Sequence, residues 1–188
     1  MWGVEKLAEQ AALDLDVTFP QIVTFYGSAI HTTALRVSLR HDDAEDLAAE
    51  TFIRAYQALQ TYPPKRIREL QLRAWLVTIT LNLWRNQLRD ASRRPSLVQL
   101  DFVIHRSDPA DGPEQRALDV EGSDRVSQLL ASLPESERIP IILRHVVGLS
   151  YKEIATVLDC PIGTAKSHVS RGIATLRANL YRMEEATP

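Results

Sequence analysis

Thr164, Lys166, Ser167, His168, Ser170 and Arg171 fall within eight positions, a run of short hydroxyls, one imidazole and two cations. Groups of this kind donate hydrogen bonds to phosphate oxygens and base edges, which is the chemistry of a helix laid in a DNA groove. They are interleaved with Ile162, Ala165, Val169, Ile173, Leu176 and Leu180, the three-and-four spacing of a helix face packed on a core. An ordinary amphipathic helix with a solvated polar face has the same pattern, so local charge decides. Residues 144–182 hold six Lys or Arg against Glu153 and Asp159, a net of plus four in a chain whose total is minus two. DNA binding is favoured.

A second basic block lies in residues 63–94, where eight Lys or Arg face Glu69 and Asp90, a net of plus six. Asn82, Trp84, Arg85, Asn86, Arg89, Arg93 and Arg94 mix aromatic, amide and guanidinium groups. That mixture suits stacking on unpaired bases and bidentate pairing with phosphate. Trp75 is expected in the core, and the place of Trp84 stays open. The third cluster has the opposite sign: Asp42, Asp43, Glu45, Asp46 and Glu50 crowd nine positions, followed by Phe52 and Tyr56. Two readings stand for it: acids that complement a helix dipole, or a helix that docks on a basic partner protein.

The elements that must position these groups are helical throughout. Phe19 to Arg40 carries apolar residues at helical spacing, with Pro20 suited to a first turn. His41-Asp42-Asp43 makes the next turn. Ala44, Leu47, Ala48, Phe52, Ala55, Tyr56 and Leu59 form a second stripe, ended by Tyr62-Pro63-Pro64. A third helix buries Leu72, Trp75, Leu76, Ile79, Leu83 and Leu88. Residues 95–122, with six acids and Asp108-Pro109 and Asp111-Gly112-Pro113, read as an acidic flexible linker. Beyond it, Val126, Leu129, Leu130 and Leu133 start a compact helical domain. Ile139, Ile142, Leu143, Val146 and Val147 continue it, with Pro140 a kink or a lost bond and Gly148 a stop. Ser150 and Glu153 form a capping box for a helix starting near Tyr151, and the small Ala155 on its inner face allows a close crossing. Asp159-Cys160-Pro161 breaks the chain before a helix that opens near Ile162 or Gly163. The last two helices therefore read as a helix-turn-helix. The fold class is all-α, two small helical domains at 1–94 and 123–188 joined by the linker 95–122.

Composition narrows the function. One cysteine, Cys160, excludes an internal disulfide and a cysteine-based zinc site. The absence of a leader or an 18-residue apolar run leads us to expect a cytoplasmic protein without membrane insertion. His31 and His41 lack partners at metal-ligand spacing and are read as structural or exposed, so no metal is expected. No Ser-His-Asp set or glycine-rich phosphate loop appears, so neither an enzyme nor a cofactor is expected.

These motifs resemble the extracytoplasmic-function (ECF) sigma factors of bacterial RNA polymerase, over about Phe19 to Arg94 and Ser123 to Leu180. The segment Asp43 to Tyr56, DAEDLAAETFIRAY, looks like the family's polymerase-binding region. Arg73-Ala74-Trp75-Leu76 with Asn82 looks like the start of the promoter-melting segment. Leu133-Pro134, Arg138, Leu143-Arg144, Gly148-Leu149-Ser150-Tyr151, Glu153-Ile154-Ala155 and Gly163-Thr164-Ala165-Lys166-Ser167 look like region 4. The resemblance implies that Asp43, Asp46, Leu47, Glu50, Phe52 and Tyr56 dock on the clamp helices of the largest polymerase subunit. It implies that Asn82, Trp84, Arg85, Asn86, Arg89, Arg93 and Arg94 handle the minus-ten element. Gly163, Thr164, Lys166, Ser167, His168 and Arg171 would read the minus-thirty-five element. Further implied partners are promoter DNA, the flap of the second polymerase subunit and an anti-sigma factor.

Three positions depart from the family's habit: Asn86 where an acid is common, Asp159 for a glycine and His168 for an arginine. Asp159 can still make the turn. A neutral His168 gives up a permanent cation, which leaves Lys166 and Arg171 to anchor phosphates. The rival readings are a stand-alone helix-turn-helix regulator and a sigma antagonist. Neither needs the basic, tryptophan-containing 73–94 helix.

Overall fold

A computed structural model of the chain describes residues 6–93 and 126–185. Among them every regular element is helical. The expected linker 95–122, Arg94 and residues 1–5 lie outside the described residues.

A short α1 (Leu7–Ala11) leads into α2 (Leu15–Ser38), which begins four residues before the expected Phe19. Asp14 is the reason. Its carboxylate accepts a hydrogen bond from the Val17 N–H at 3.1 Å, and Asp16 places a second acid in the first turn. Pro20 therefore stands inside the helix, where a missing donor costs about 3 kcal/mol. The buried face of Ile22, Tyr26, Ile30, Ala34 and Val37 offsets that loss.

The turn to α3 (His41–Thr61) is made by Leu39 and Arg40, not by His41-Asp42-Asp43. Leu39 takes a left-handed φ of 59°, its N–H still bonded to the Leu35 carbonyl at 2.9 Å. The chain then reverses, and Asp42 and Asp43 fall in the first turn of α3, where carboxylates are favourable. The inner face of α3 is Ala44, Leu47, Ala48, Thr51, Ala55 and Leu59. A short α4 (Pro64–Arg68), with Pro64 preset for its first position, is not anticipated by the sequence reading. In α5 (Leu72–Arg93), Leu72, Leu76, Val77, Leu81 and Trp84 are buried, Trp75, Ile79 and Leu83 are half-buried, and Leu88 is exposed. The Thr51 hydroxyl donates to the Leu47 carbonyl at 2.7 Å and Thr80 to the Leu76 carbonyl at 3.0 Å, with the two hydroxyl oxygens 3.2 Å apart, so the buried α3–α5 contact leaves neither of these hydroxyls unsatisfied.

In the C-terminal domain a helix over 126–131 (α6) precedes α7 (Glu135–Ile141), which runs through Pro140 and widens into a π turn, Ile142–Val146. The widened turn adds a residue and shifts the face, so Val147 is buried and the expected core residue Val146 is 43% exposed. Gly148, at φ 79°, ends the segment, and the Leu149 N–H bonds the Leu143 carbonyl across it at 2.9 Å. α8 (Tyr151–Val157) begins with the expected capping box: Glu153 Oε2 accepts from the Ser150 N–H at 2.8 Å and Ser150 Oγ from the Glu153 N–H at 3.3 Å. Asp159, left-handed at φ 49°, turns the chain into α9 (Ile162–Glu185).

At Gly172, α9 crosses α7 closely. A Cβ added there would lie 2.4 Å from Ile141 Cδ1 and 3.2 Å from both the Cβ and the carbonyl oxygen of Glu137. The isoleucine tip can rotate away, but the Glu137 backbone cannot. Gly172→Val is therefore expected to cost about 2–3 kcal/mol, to be read from a urea denaturation midpoint.

Candidate nucleic-acid interface

The capping box and the Asp159 turn fix α8 against α9, and Ala165 and Val169 bury the inner face of α9. That leaves Gly163, Lys166, Ser167, Ser170 and Arg171 exposed along the outer face, with Thr164 and His168 half-buried beside them. Ile162, expected on the core side, is 46% exposed, because the first turn of α9 projects beyond the bundle. The Lys166 ammonium lies 5.8 Å from the ring centroid of Tyr151, over which the Arg144 guanidinium also sits at 4.9 Å. Arg171 Nε donates to the Ser167 carbonyl at 3.4 Å, and its Nη2 approaches His168 Nδ1 at 3.3 Å. A neutral imidazole accepting at Nδ1 keeps its other nitrogen as a donor, so the pair offers a fixed cation beside a directional N–H. Removing Arg171 is expected to weaken duplex binding about equally across sequences and to reduce the slope of log affinity against log salt by about 0.9, the value for one lost phosphate contact. Titration by fluorescence anisotropy at several salt concentrations checks it; an unchanged slope contradicts the phosphate role.

The second cluster forms a groove. Asn82, Arg85, Asn86, Leu88, Arg89 and Glu135 line an open depression of about 700 Å³ between α5 and the start of α7. Arg89 Nη2 donates to Asn86 Oδ1, which holds amide and guanidinium together on one turn. Arg93 lies in the last turn of α5. The groove therefore offers amide donors and acceptors, guanidinium groups and the exposed Leu88 to a base or phosphate.

Trp84 is not in it. Its side chain is 5% exposed, in the seam between the domains, with the Arg138 guanidinium 5.9 Å from its ring centroid. Sequence periodicity alone does not reveal this, because Arg138 comes from the other domain. The seam has further ties. Arg85 Nε pairs with Glu135 Oε1 at 3.5 Å, Arg73 Nη1 donates to the Val147 carbonyl at 3.4 Å and Arg36 Nη1 donates to Ser127 Oγ at 2.5 Å. Burial pushes the guanidinium pKa of Arg36 and Arg138 below the ordinary arginine value, with Glu135 opposing the shift at Arg138.

The acidic helix divides its residues between two tasks. Leu47 is fully buried in the core and is thereby removed from the expected docking set. Phe52 and Tyr56 are half-buried against Phe19, edge-on at centroid distances of 6.5 and 5.0 Å, and the Tyr56 hydroxyl donates to Asp16 Oδ1 at 2.6 Å. These two brace α3 on α2. The outward face carries the exposed Asp46, the half-buried Asp43, paired with Arg40 at 3.3 Å, and Glu50, paired with Arg54 at 2.6 Å. Ile53, 51% exposed, adds an apolar centre that the sequence reading missed; its position seven residues after Asp46 was the available signal.

The expectation of no metal-ligand spacing at His31 and His41 is corrected by the turn at Leu39, which brings both imidazoles together with Glu45.

Residues 22–94 match the family Sigma-70 region 2, and residues 123–176 match Sigma-70, region 4. The chain is 32% identical over 185 residues to the ECF RNA polymerase sigma factor SigE of Mycolicibacterium smegmatis, covering 97% of this chain and 68% of that protein. It is 35% identical over 136 residues to the ECF RNA polymerase sigma-E factor of Escherichia coli K12, covering 69% of each. Among solved structures, CnrH in complex with the cytosolic domain of CnrY superposes with a TM-score of 0.68 at 28% identity, over 95% of this chain and 97% of that one. The sigma factor RpoE bound to the anti-sigma factor NepR from Bartonella quintana superposes at 0.70, also at 28% identity, over 87% and 96%.

Proposed function

We infer the division of labour along this chain from one premise: it belongs to the extracytoplasmic-function branch of the sigma-70 family and directs promoter-specific initiation of transcription. Sigma factors bind and position rather than catalyse, and no chemical step is assigned to the chain.

Residues 1–94 act as the region 2 domain, 95–122 as the linker and 123–188 as the region 4 domain. The outward face of α3, with Asp43, Asp46, Glu50 and Ile53, docks on the clamp helices of the largest polymerase subunit, its charge seeking a basic surface and Ile53 supplying the buried centre. Phe52 and Tyr56 hold that face in register from behind. The α5 groove takes an unpaired base and its phosphate from the minus-ten element. Asn82 and Asn86 meet base edges there, and Arg85, Arg89, Arg93 and Arg94 meet phosphates. The exposed face of α9 enters the major groove of the minus-thirty-five element, and the region 4 domain seats on the flap of the second subunit. An anti-sigma factor is the other partner assigned, since a similar sigma factor was solved with one. The working place is the cytoplasm, beside polymerase and chromosome; among the described residues no helix is long and apolar enough to cross a membrane.

The observation that carries this reading is the α5 groove itself. A stand-alone regulator accounts for α9 but leaves a cationic, amide-lined groove and an acidic docking face without work. Purified chain added to core polymerase should start transcripts at one position on its own promoter. Specific duplex binding without such transcripts would favour the regulator.

A further inference from the structure

The turn at Leu39 and Arg40 folds the start of α3 back along the end of α2, so the imidazoles of His31 and His41 meet edge to face, ring centroids 5.8 Å apart. Glu45, one turn along α3, brings its Oε1 to 3.6 Å from His41 Nδ1. One ligand atom from each of the three residues lies within 4.8 Å of the others. A divalent zinc-like ion holds histidine nitrogen and carboxylate oxygen at about 2.1 Å, so donors around a tetrahedral ion stand roughly 3.4 Å apart. The His41–Glu45 pair at 3.6 Å is close to that spacing, and binding would draw the His31 donor in from within 4.8 Å. Both imidazoles are half-buried and the Glu45 side chain is 68% exposed, which leaves a fourth position to water.

We propose that His31, His41 and Glu45 form a binding site for one divalent transition-metal ion of the zinc, cobalt or nickel class. Two imidazoles with one carboxylate select this class over magnesium or calcium, which take sets of oxygen donors. The positive end of α3 disfavours a cation, and Asp42 and Asp43 in the same turn offset it. Arg40, adjacent in sequence, is occupied by Asp43 at 3.3 Å. The consequence rests on the reading of α3 as the polymerase-docking helix: an ion held at Glu45 adds two positive charges beside Asp46 and weakens docking.

Chelator-stripped full chain titrated with cobalt(II) should develop visible absorption bands that saturate at one ion per chain, and calorimetry with zinc should give the same stoichiometry. His31→Ala and His41→Ala should each weaken binding by at least about 10-fold, since loss of even a group that supports a ligand has that effect. Glu45→Gln, on the exposed surface, should act in the same direction and keeps the test valid if an imidazole variant misfolds. Absence of a saturable band, or bands indifferent to all three substitutions, overturns the site. Zinc should also weaken binding to core polymerase, and Glu45→Gln should abolish that effect. A cobalt site with unchanged polymerase affinity sustains the metal assignment and overturns its link to docking.

Discussion

Asp46→Lys is expected to lower affinity for core polymerase by roughly 30- to 150-fold while leaving the fold and duplex DNA binding intact. The magnitude follows from juxtaposing like charges across an interface, which costs several kcal/mol; about 2–3 kcal/mol gives that range at 1.4 kcal/mol per tenfold. Asp46 is well placed for the test because it is exposed and sits on the outward face of α3 beside Glu50 and Ile53. By contrast Asp43 and Glu50 are tied to Arg40 and Arg54, so replacing them disturbs the helix as well as the face. Duplex binding is expected to persist because α9 lies in the other domain. Glu9→Lys, the same charge change on exposed α1 outside the proposed docking face, should shift polymerase affinity by no more than about twofold, since single exposed charges contribute little. Anisotropy of labelled chain with core polymerase and a mobility shift on duplex DNA measure the two arms. Equal losses from both substitutions would mean that a diffuse field, not a docking face, holds the complex.

What the sequence made legible here was local. Helix starts fixed by nearby side chains were readable to within a residue in α8 and α9, because Ser150, Glu153 and Pro161 act on the backbone within one turn of themselves. The early start of α2 was missed because Asp14 lies outside the apolar stripe that suggested Phe19, although its cap acts by the same short-range chemistry. The left-handed Leu39 was not legible: nothing in a leucine announces φ 59°, and that turn shifts His41 onto a helix and against His31. The same limit separates the residues that periodicity places together from those whose surroundings it does not give. Asn82, Asn86 and Arg89 share one face of a single helix, so their groove follows from 3.6-residue periodicity. Whether Trp84 was open depended on a domain beginning some forty residues later, and whether Leu47 docked or packed depended on α2 and α5. Periodicity locates a stripe; it does not say which of several partners covers it.

The coverage of Trp84 leads to the second large expectation, that the seam between the domains must part before the chain can work. Asn82 and Asn86 are exposed, but Arg85 is held by Glu135, and Arg73 and Arg36 are bonded to the C-terminal domain. A base entering the α5 groove competes with Glu135 for Arg85, and a chain spanning two promoter elements needs its two DNA-binding faces further apart than one shared core permits. The polar ties add little to the apolar burial at the seam. The Arg85–Glu135 pair is more than a third exposed on both sides and contributes at most about 1 kcal/mol. Parting the seam therefore has to be driven mainly against apolar burial, and binding to polymerase and DNA can shift the population toward the parted form. Arg85→Cys with Glu135→Cys, in a Cys160→Ser background, joined by a bis-maleimide with a cleavable disulfide arm, holds the domains together. Linked protein is expected to lose promoter-specific transcription by about 100-fold or more, because apparent affinity falls in proportion to the fraction of chain that can open. Reducing the arm should restore the activity of the unlinked double variant, which is the proper reference because Arg85 itself belongs to the groove. Linked protein that transcribes as well as its reduced form would show that the groove and α9 can meet a promoter with the seam closed.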